Sequence, residues 1–168
     1  LVHKTLKKKY KNLLTIIIPR HINRTSSIIE ELKDLNLKVH MHEPQKKIIN
    51  DTDIYIVNSY GKTKSFYKNC KNIFLGGSLI KHGGQNPLEA ARYGCKILHG
   101  PHVGNFKEIF QYLKKRKISL AVNSKSKMIS SLENLFAKKT RSFEIRKKIN
   151  LIGKKILDNT YKEIINLI

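Results

Sequence analysis

The sequence predicts an α/β domain, a three-layer Rossmann-like fold on a parallel sheet. Three observations carry this: six short apolar segments mostly without a polar face, amphipathic stretches between them, and a length of 168 residues, enough for one domain to bury its own core. Strand and helix in alternation call for right-handed crossovers, with helices covering the sheet on both sides.

The elements follow in order. The lysine-rich start, KTLKKKYKN within residues 1–12, reads as a basic linker or an entering helix. LLTIII at 13–18 has the length of a buried strand, and the amphipathic stretch 24–35 is a crossover helix leading to LKVHM at 37–41. DIYIVN at 53–58 is the third strand, followed by a helix over 62–70 and by NIFLG at 72–76. A helix over 86–93 precedes KILHG at 96–100, one over 105–116 precedes SLAVN at 119–123, and one over 125–138 ends the alternation. Apolar residues then recur at Phe143, Ile145, Ile149, Ile152, Ile156, Leu157, Ile164, Ile165 and Ile168 with polar residues between. They predict one or two terminal helices, with Gly153 a candidate break. The expected organisation is a basic lead over 1–12, a Rossmann-like body over 13–139 and C-terminal helices over 140–168 packing on it.

Net charge is +22, from 34 Lys+Arg against 12 Asp+Glu. A field of that sign attracts nucleic acid, anionic lipid or a phosphorylated substrate, although a chain this rich in Lys, Ile and Asn also fits a biased genome. The sequence holds no RNP-like aromatic strand, GXXG clamp or arginine-rich stripe with interleaved aromatics, so nucleic acid is not the expected partner. Cys70 and Cys95 have neither CxxC spacing nor a His/Cys cluster, which argues against structural zinc and a secreted disulfide framework and for a reducing compartment. No metal or cofactor is expected. No apolar run approaches the roughly 18 residues of a membrane span, no signal peptide is evident, and the first residue, Leu1, suggests a piece of something longer.

The chemistry concentrates in FLGGSLIKHGGQNPLEAARYG, residues 74–94, where a strand end runs into two glycine pairs and then a capped helix. Gly76-Gly77 and Gly83-Gly84 remove side chains where the backbone must approach a ligand or take positive φ. Asn86 suits an N-cap, Pro87 the first turn, and Glu89, three residues on, a capping box. A helix N-terminus offers free N–H groups and partial positive charge to a phosphate or carboxylate. The spacing is neither G-x-G-x-x-G nor the Lys-terminated P-loop. In an open parallel sheet, ligands lie beyond the C-terminal strand ends. There Arg20 and His21 follow the first strand, residues 58–63 the third, the glycine segment the fourth, and Gly100-Pro101-His102 with Asn105 the fifth. Arg20 offers a planar fork for a phosphate or base carbonyl, or is a solvated loop residue. His82, His99 and His102 match no metal pattern and suit hydrogen-bonded structure.

Taken together, IIIPRH at 16–21, LGGSLIKHGGQNPLEAA at 75–91 and GPHVGNFKEI at 100–109 resemble the C-terminal half of the 3-deoxy-D-manno-octulosonic acid (Kdo) transferases, over about residues 13–115. The resemblance implies a GT-B glycosyltransferase of two Rossmann-like domains, of which this chain is similar to the one holding the donor, CMP-Kdo. It places Arg20, with His21 beside it, near the cytidine or phosphate. Gly76, Gly77 and Ser78 line the phosphate approach, Gly83 and Gly84 turn the chain, Asn86 and Glu89 face the nucleotide, and Asn105 fixes the loop beside the donor. Glu89 has two open roles, ribose contact and pure capping. Gln85 stands where the family commonly has His, Ala90 where it has Pro, and Lys62 at the acidic position of the block at 58–63. Only a backbone contribution near Gly61 carries over there.

The implied reaction moves Kdo from CMP-Kdo to a phosphorylated lipid A precursor in lipopolysaccharide biosynthesis, at the cytoplasmic face of the bacterial inner membrane. The implied partners are the donor, the acceptor through the parent enzyme, an anionic membrane surface and an N-terminal domain of the same protein. That domain would supply the catalytic base, so no catalytic residue is expected in this chain, and the isolated domain would bind donor weakly or not at all and would not turn over. Another GT-B enzyme, a sugar-nucleotide transferase or epimerase, and a basic nucleic-acid-binding module are the competing readings.

Overall fold

The computed structural model describes residues 1–166, and divides into two compact units, Leu1–Ser65 and Phe66 onward. Apolar Ile168 lies outside the described residues. All six expected strands form, each shorter than its apolar run. They pair in parallel as two three-stranded sheets.

In the first unit β1 (Thr15–Ile17) and β2 (Val39–Met41) flank β3 (Ile54–Ile56), with Ile16 and His40 both opposite Tyr55. The central strand is the most buried because it is covered on two edges and two faces; Ile54, Tyr55 and Ile56 are all at most 3% exposed. Helix α2 (Thr25–Lys33) carries the β1-to-β2 crossover. The parallel return from β2 to β3, residues 42–53, contains no helix. It turns through Gln45 and Asp51, at φ +67° and +65°. Alternation therefore lapses here, since a connection of about a dozen residues suffices for a parallel return.

The lysine-rich start forms α1 (Val2–Lys9), which turns His3 and Leu6 inward and leaves most of its lysines outside. Its seat is polar: His3 Nδ1 lies 2.9 Å from Thr15 Oγ1, and Lys7 Nζ 2.8 Å from Asp53 Oδ1. Burial acts to raise the Asp53 carboxyl, but hydrogen bonds from Lys7 and from the Lys38 amide outweigh it and hold the group below the usual carboxylate range.

The division between units falls within α3 (Thr63–Asn69). Beyond it, β5 (Lys96–His99) lies between β4 (Asn72–Leu75) and β6 (Ser119–Ala121), with Leu75 opposite His99 and His99 opposite Ala121. Two crossovers run through α4 (Leu88–Arg92) and α5 (Lys107–Lys115), and α6 (Lys125–Phe136) follows the last strand. Ser124 caps α6, its side chain accepting from the Lys127 amide. The core joins Leu75, Ile97 and Ile118 of the sheet region to Ala90, Ala91, Phe110 and Leu113 of the helices. Cys95 is buried in it, its thiol pushed up to about 11 by burial, and both cysteines are free.

The terminal segment is a single helix, α7 (Ser142–Ile165), that runs through Gly153. A mid-helix glycine costs only about 1 kcal/mol against alanine, too little to break a run of 24 residues. Ile145 and Ile149 dock α7 on the core at α4. The start of α7 passes so close to Gly94, at φ +79°, that a Cβ there would stand 2.8 Å from Ser142 Cβ. No helix among the described residues is long and apolar enough to cross a membrane.

Candidate functional site: a glycine-built loop beyond strand four

Beyond β4 the chain makes a closed loop from Gly77 to Gly84. The Gly84 amide donates to the Gly77 carbonyl at 3.1 Å, so the two glycine pairs meet. Gly77, Gly83 and Gly84 all take positive φ, +70°, +85° and +73°, a region that costs other residues about 1–2 kcal/mol. Gly76 is different: its backbone is ordinary and the space where a Cβ would sit is open. Three glycines thus serve backbone conformation, and one leaves room.

Ser78 is fully buried. Its hydroxyl donates to the Leu75 carbonyl at 2.6 Å and accepts from the Gly100 amide at 2.8 Å, while its own carbonyl accepts from the His102 amide at 2.9 Å. A Cβ on Gly100 would stand 2.6 Å from the Leu79 nitrogen, so this crossing of two backbones requires glycine. At the other end Gly84 lies against His102 and Val103, where a Cβ would meet the His102 carbonyl at 3.3 Å. Asn105 sits in a 3₁₀ turn, Gly104–Phe106, with its side chain against Gly83. The amides of Gly77, Ser78 and Leu79 have no acceptor among the described residues, and of the three residues Gly77 and Leu79 reach solvent while Ser78 does not. Successive N–H groups in a glycine turn make a concavity suited to an anion.

His99 closes the floor. Its Nδ1 lies 2.7 Å from the Gly100 carbonyl, which can only accept, so the proton is on Nδ1. Nε2 is buried without a partner among the described residues, and the ring packs 4.2 Å from that of Phe110. Burial pushes this imidazole below its ordinary value, against the raising effect of the Gly100 bond.

The helix after the loop is shorter than expected, five residues from Leu88 instead of a span over 86–93. Pro87 rather than Asn86 holds the N-cap position, and Asn86 closes the turn before it, Oδ1 accepting from the Leu88 amide at 2.9 Å. The reciprocal capping-box bond from Glu89 to the Asn86 amide is absent among the described residues, and Glu89 stays half-buried. So short a helix has a small macrodipole, and the loop's own amides become the principal donors. Arg20 and His21 belong to the first unit. Both are exposed, just beyond the C-terminal end of β1 and before the 3₁₀ turn Ile22–Arg24.

Sequence reasoning placed Ser78 on the ligand side and assigned nothing to the hydroxyl's pairing with Gly100. The signal was a glycine directly after a strand and before proline, a mark of close backbone approach. His82, His99 and His102 read as hydrogen-bonded structure, and for His99 the bond to Gly100 agrees.

Parallel strands, helical crossovers and a glycine-built loop at a strand's C-terminal end define a Rossmann-like α/β domain. No family model matches the chain. It is 32% identical over 155 residues to the 3-deoxy-D-manno-octulosonic acid transferase of Haemophilus influenzae, covering 92% of this chain and 36% of that protein. It is 26% identical to the enzyme of the same name from Aquifex aeolicus, over 81% of this chain and 37% of the relative. The crystal structure of the C-terminal CMP-Kdo binding domain of WaaA from Acinetobacter baumannii matches with TM-score 0.79 at 22% identity, over 90% of this chain and 79% of that one. The chain is a homologue of the C-terminal domain of the Kdo transferases, and spans about a third of the length of the curated relatives it matches.

Proposed function

We propose that this chain is the donor-binding part of a Kdo transferase of the GT-B class, holding CMP-Kdo while Kdo passes to a lipid A precursor. The observation that carries the reading is the Gly77–Gly84 loop, closed on itself and leaving the amides of the solvent-accessible residues Gly77 and Leu79 without an acceptor among the described residues. A CMP phosphate fits such donors. As the bond from Kdo to CMP breaks, negative charge grows on the phosphate, and amides already held in place stabilise it without reorganising. The sequence resemblance makes Arg20 and His21 donor-binding candidates in the first unit, and Asn86 and Glu89 candidates for the ribose in the second. Asn105, against Gly83, keeps the loop in shape.

Deprotonation of the acceptor hydroxyl falls to an N-terminal domain of the parent enzyme. The positive charge of this chain then serves attraction to the phosphorylated acceptor and to the anionic cytoplasmic face of the inner membrane, at roughly 1 kcal/mol per Lys or Arg near the surface. Relatives named 3-deoxy-D-manno-octulosonic acid transferase support the sugar; the loop supports the phosphate.

The test is amide shift mapping of this chain with CMP and with UMP. Shifts centred on 76–86 and on Pro19–His21, stronger for CMP, are expected. Shifts confined to α7, or equal affinity for UMP, overturn the reading.

A further inference from the structure

We propose that Ser78 is a positioning residue that locks the β4 loop to the β5 loop, so that the amides of Gly77 and Leu79 and the segment 100–105 act as one rigid donor-phosphate cradle. This deepens the donor-binding reading and rests on it.

The Ser78 hydroxyl cannot reach a ligand, because it is 0% exposed and is engaged on both sides by backbone. Its single proton goes to the Leu75 carbonyl, and its oxygen takes the Gly100 proton. The Ser78 carbonyl holds His102 in addition, so one residue grips the β5 loop at two places, 100 and 102. Glycine at 100 is what lets the two backbones come this close. The loop's far end is tied separately, by Gly84 against His102 and Val103 and by Asn105 against Gly83. The cradle is thus held at both ends, and only the Ser78 end depends on a side-chain hydrogen bond. Loss of that hydroxyl leaves a buried carbonyl and a buried amide unpaired, and the relief is for the Gly100 segment to move away. The amides of Gly77 and Leu79 would then lose their fixed orientation.

Three variants of this chain decide it: Ser78→Ala, Ser78→Cys and, as a control of stability alone, Ile149→Ala at the α7 contact. For each, thermal melts, amide exchange at Gly100 and His102, and CMP titration followed by amide shifts are measured. Ser78→Ala is expected to remain folded, to exchange at Gly100 and His102 about tenfold faster, and to bind CMP about tenfold more weakly. Ser78→Cys, which keeps the volume and a weak donor, lies between. Ile149→Ala melts lower but binds CMP as wild type does. Unchanged exchange at Gly100 and His102 overturns the lock, and equal CMP affinity in Ser78→Ala and Ile149→Ala overturns its effect on the ligand. If Ser78→Ala does not fold, the same two comparisons are made on Ser78→Cys. A wild-type chain without CMP shifts overturns the donor reading and the ligand half of this proposal together, and the exchange comparison alone then decides the lock.

Discussion

Asn105 lies so close to Gly83 that a Cβ on the glycine would stand 2.6 Å from the Asn105 Nδ2. Gly83 also has φ +85°. Two separate costs therefore attend Gly83→Ala: left-handed strain of about 1–2 kcal/mol, and a clash with the end of a side chain that can swing aside. Gly83→Ala is expected to lower stability by about 2 kcal/mol. In the Gly83→Ala/Asn105→Ala pair the clash term disappears and the strain remains, so the double-mutant cycle is non-additive. Thermal melts of the four chains check it, and strict additivity would mean that the side chains do not meet.

Arg20 is exposed, and the proposed function assigns its guanidinium to the donor. In the parent enzyme Arg20→Ala is expected to reduce kcat/KM for the donor by the equivalent of about 1.5–3 kcal/mol, the range of a hydrogen bond to a charged group. The melting temperature stays near wild type because the residue is solvated. Steady-state kinetics at varied CMP-Kdo are the measurement; an unchanged kcat/KM makes Arg20 an ordinary loop residue.

For Glu89, the missing capping-box bond shifts the expectation toward ligand contact. Glu89→Gln is expected to melt near wild type and to lose CMP affinity by roughly 1 kcal/mol or more, the scale of one charge-assisted bond. Glu89→Ala is expected to behave alike, whereas a capping role would lower its stability by about 0.5–1 kcal/mol with normal CMP affinity. Melts and CMP titrations of both variants separate the outcomes.

Acid stability follows from two buried imidazoles. Burial depresses His99, and it likewise depresses His3 against the raising effect of Asp53. Both groups are ordinary in the unfolded chain, near pH 6.5. As pH falls through that value the unfolded chain takes up protons that the folded chain resists, so stability declines until the folded groups also protonate. Urea midpoints are expected to fall between pH 7 and pH 5, and His99→Gln to flatten that slope. A slope unchanged in His99→Gln would show that this imidazole titrates normally in the folded chain.

The sequence by itself determined the six strands, the crossover helices on most connections, and the glycine segment as the loop that follows the fourth strand. These signals are local: an apolar run of five or six residues, a 3.6-residue period, and Gly, Asn and Pro where a turn or cap requires them. Tertiary structure decided what depends on atoms far apart in the chain. It made β3 the centre of the first sheet, since a strand's neighbours are not written in its own residues. It carried α7 through Gly153, where the helical gain around one glycine exceeds that glycine's penalty. It also enclosed the Ser78 hydroxyl between Leu75 and Gly100. A serine beside two glycines reads as exposed and ready for a ligand; only the return of the chain 22 residues later gives its hydroxyl a backbone partner and takes it out of solvent.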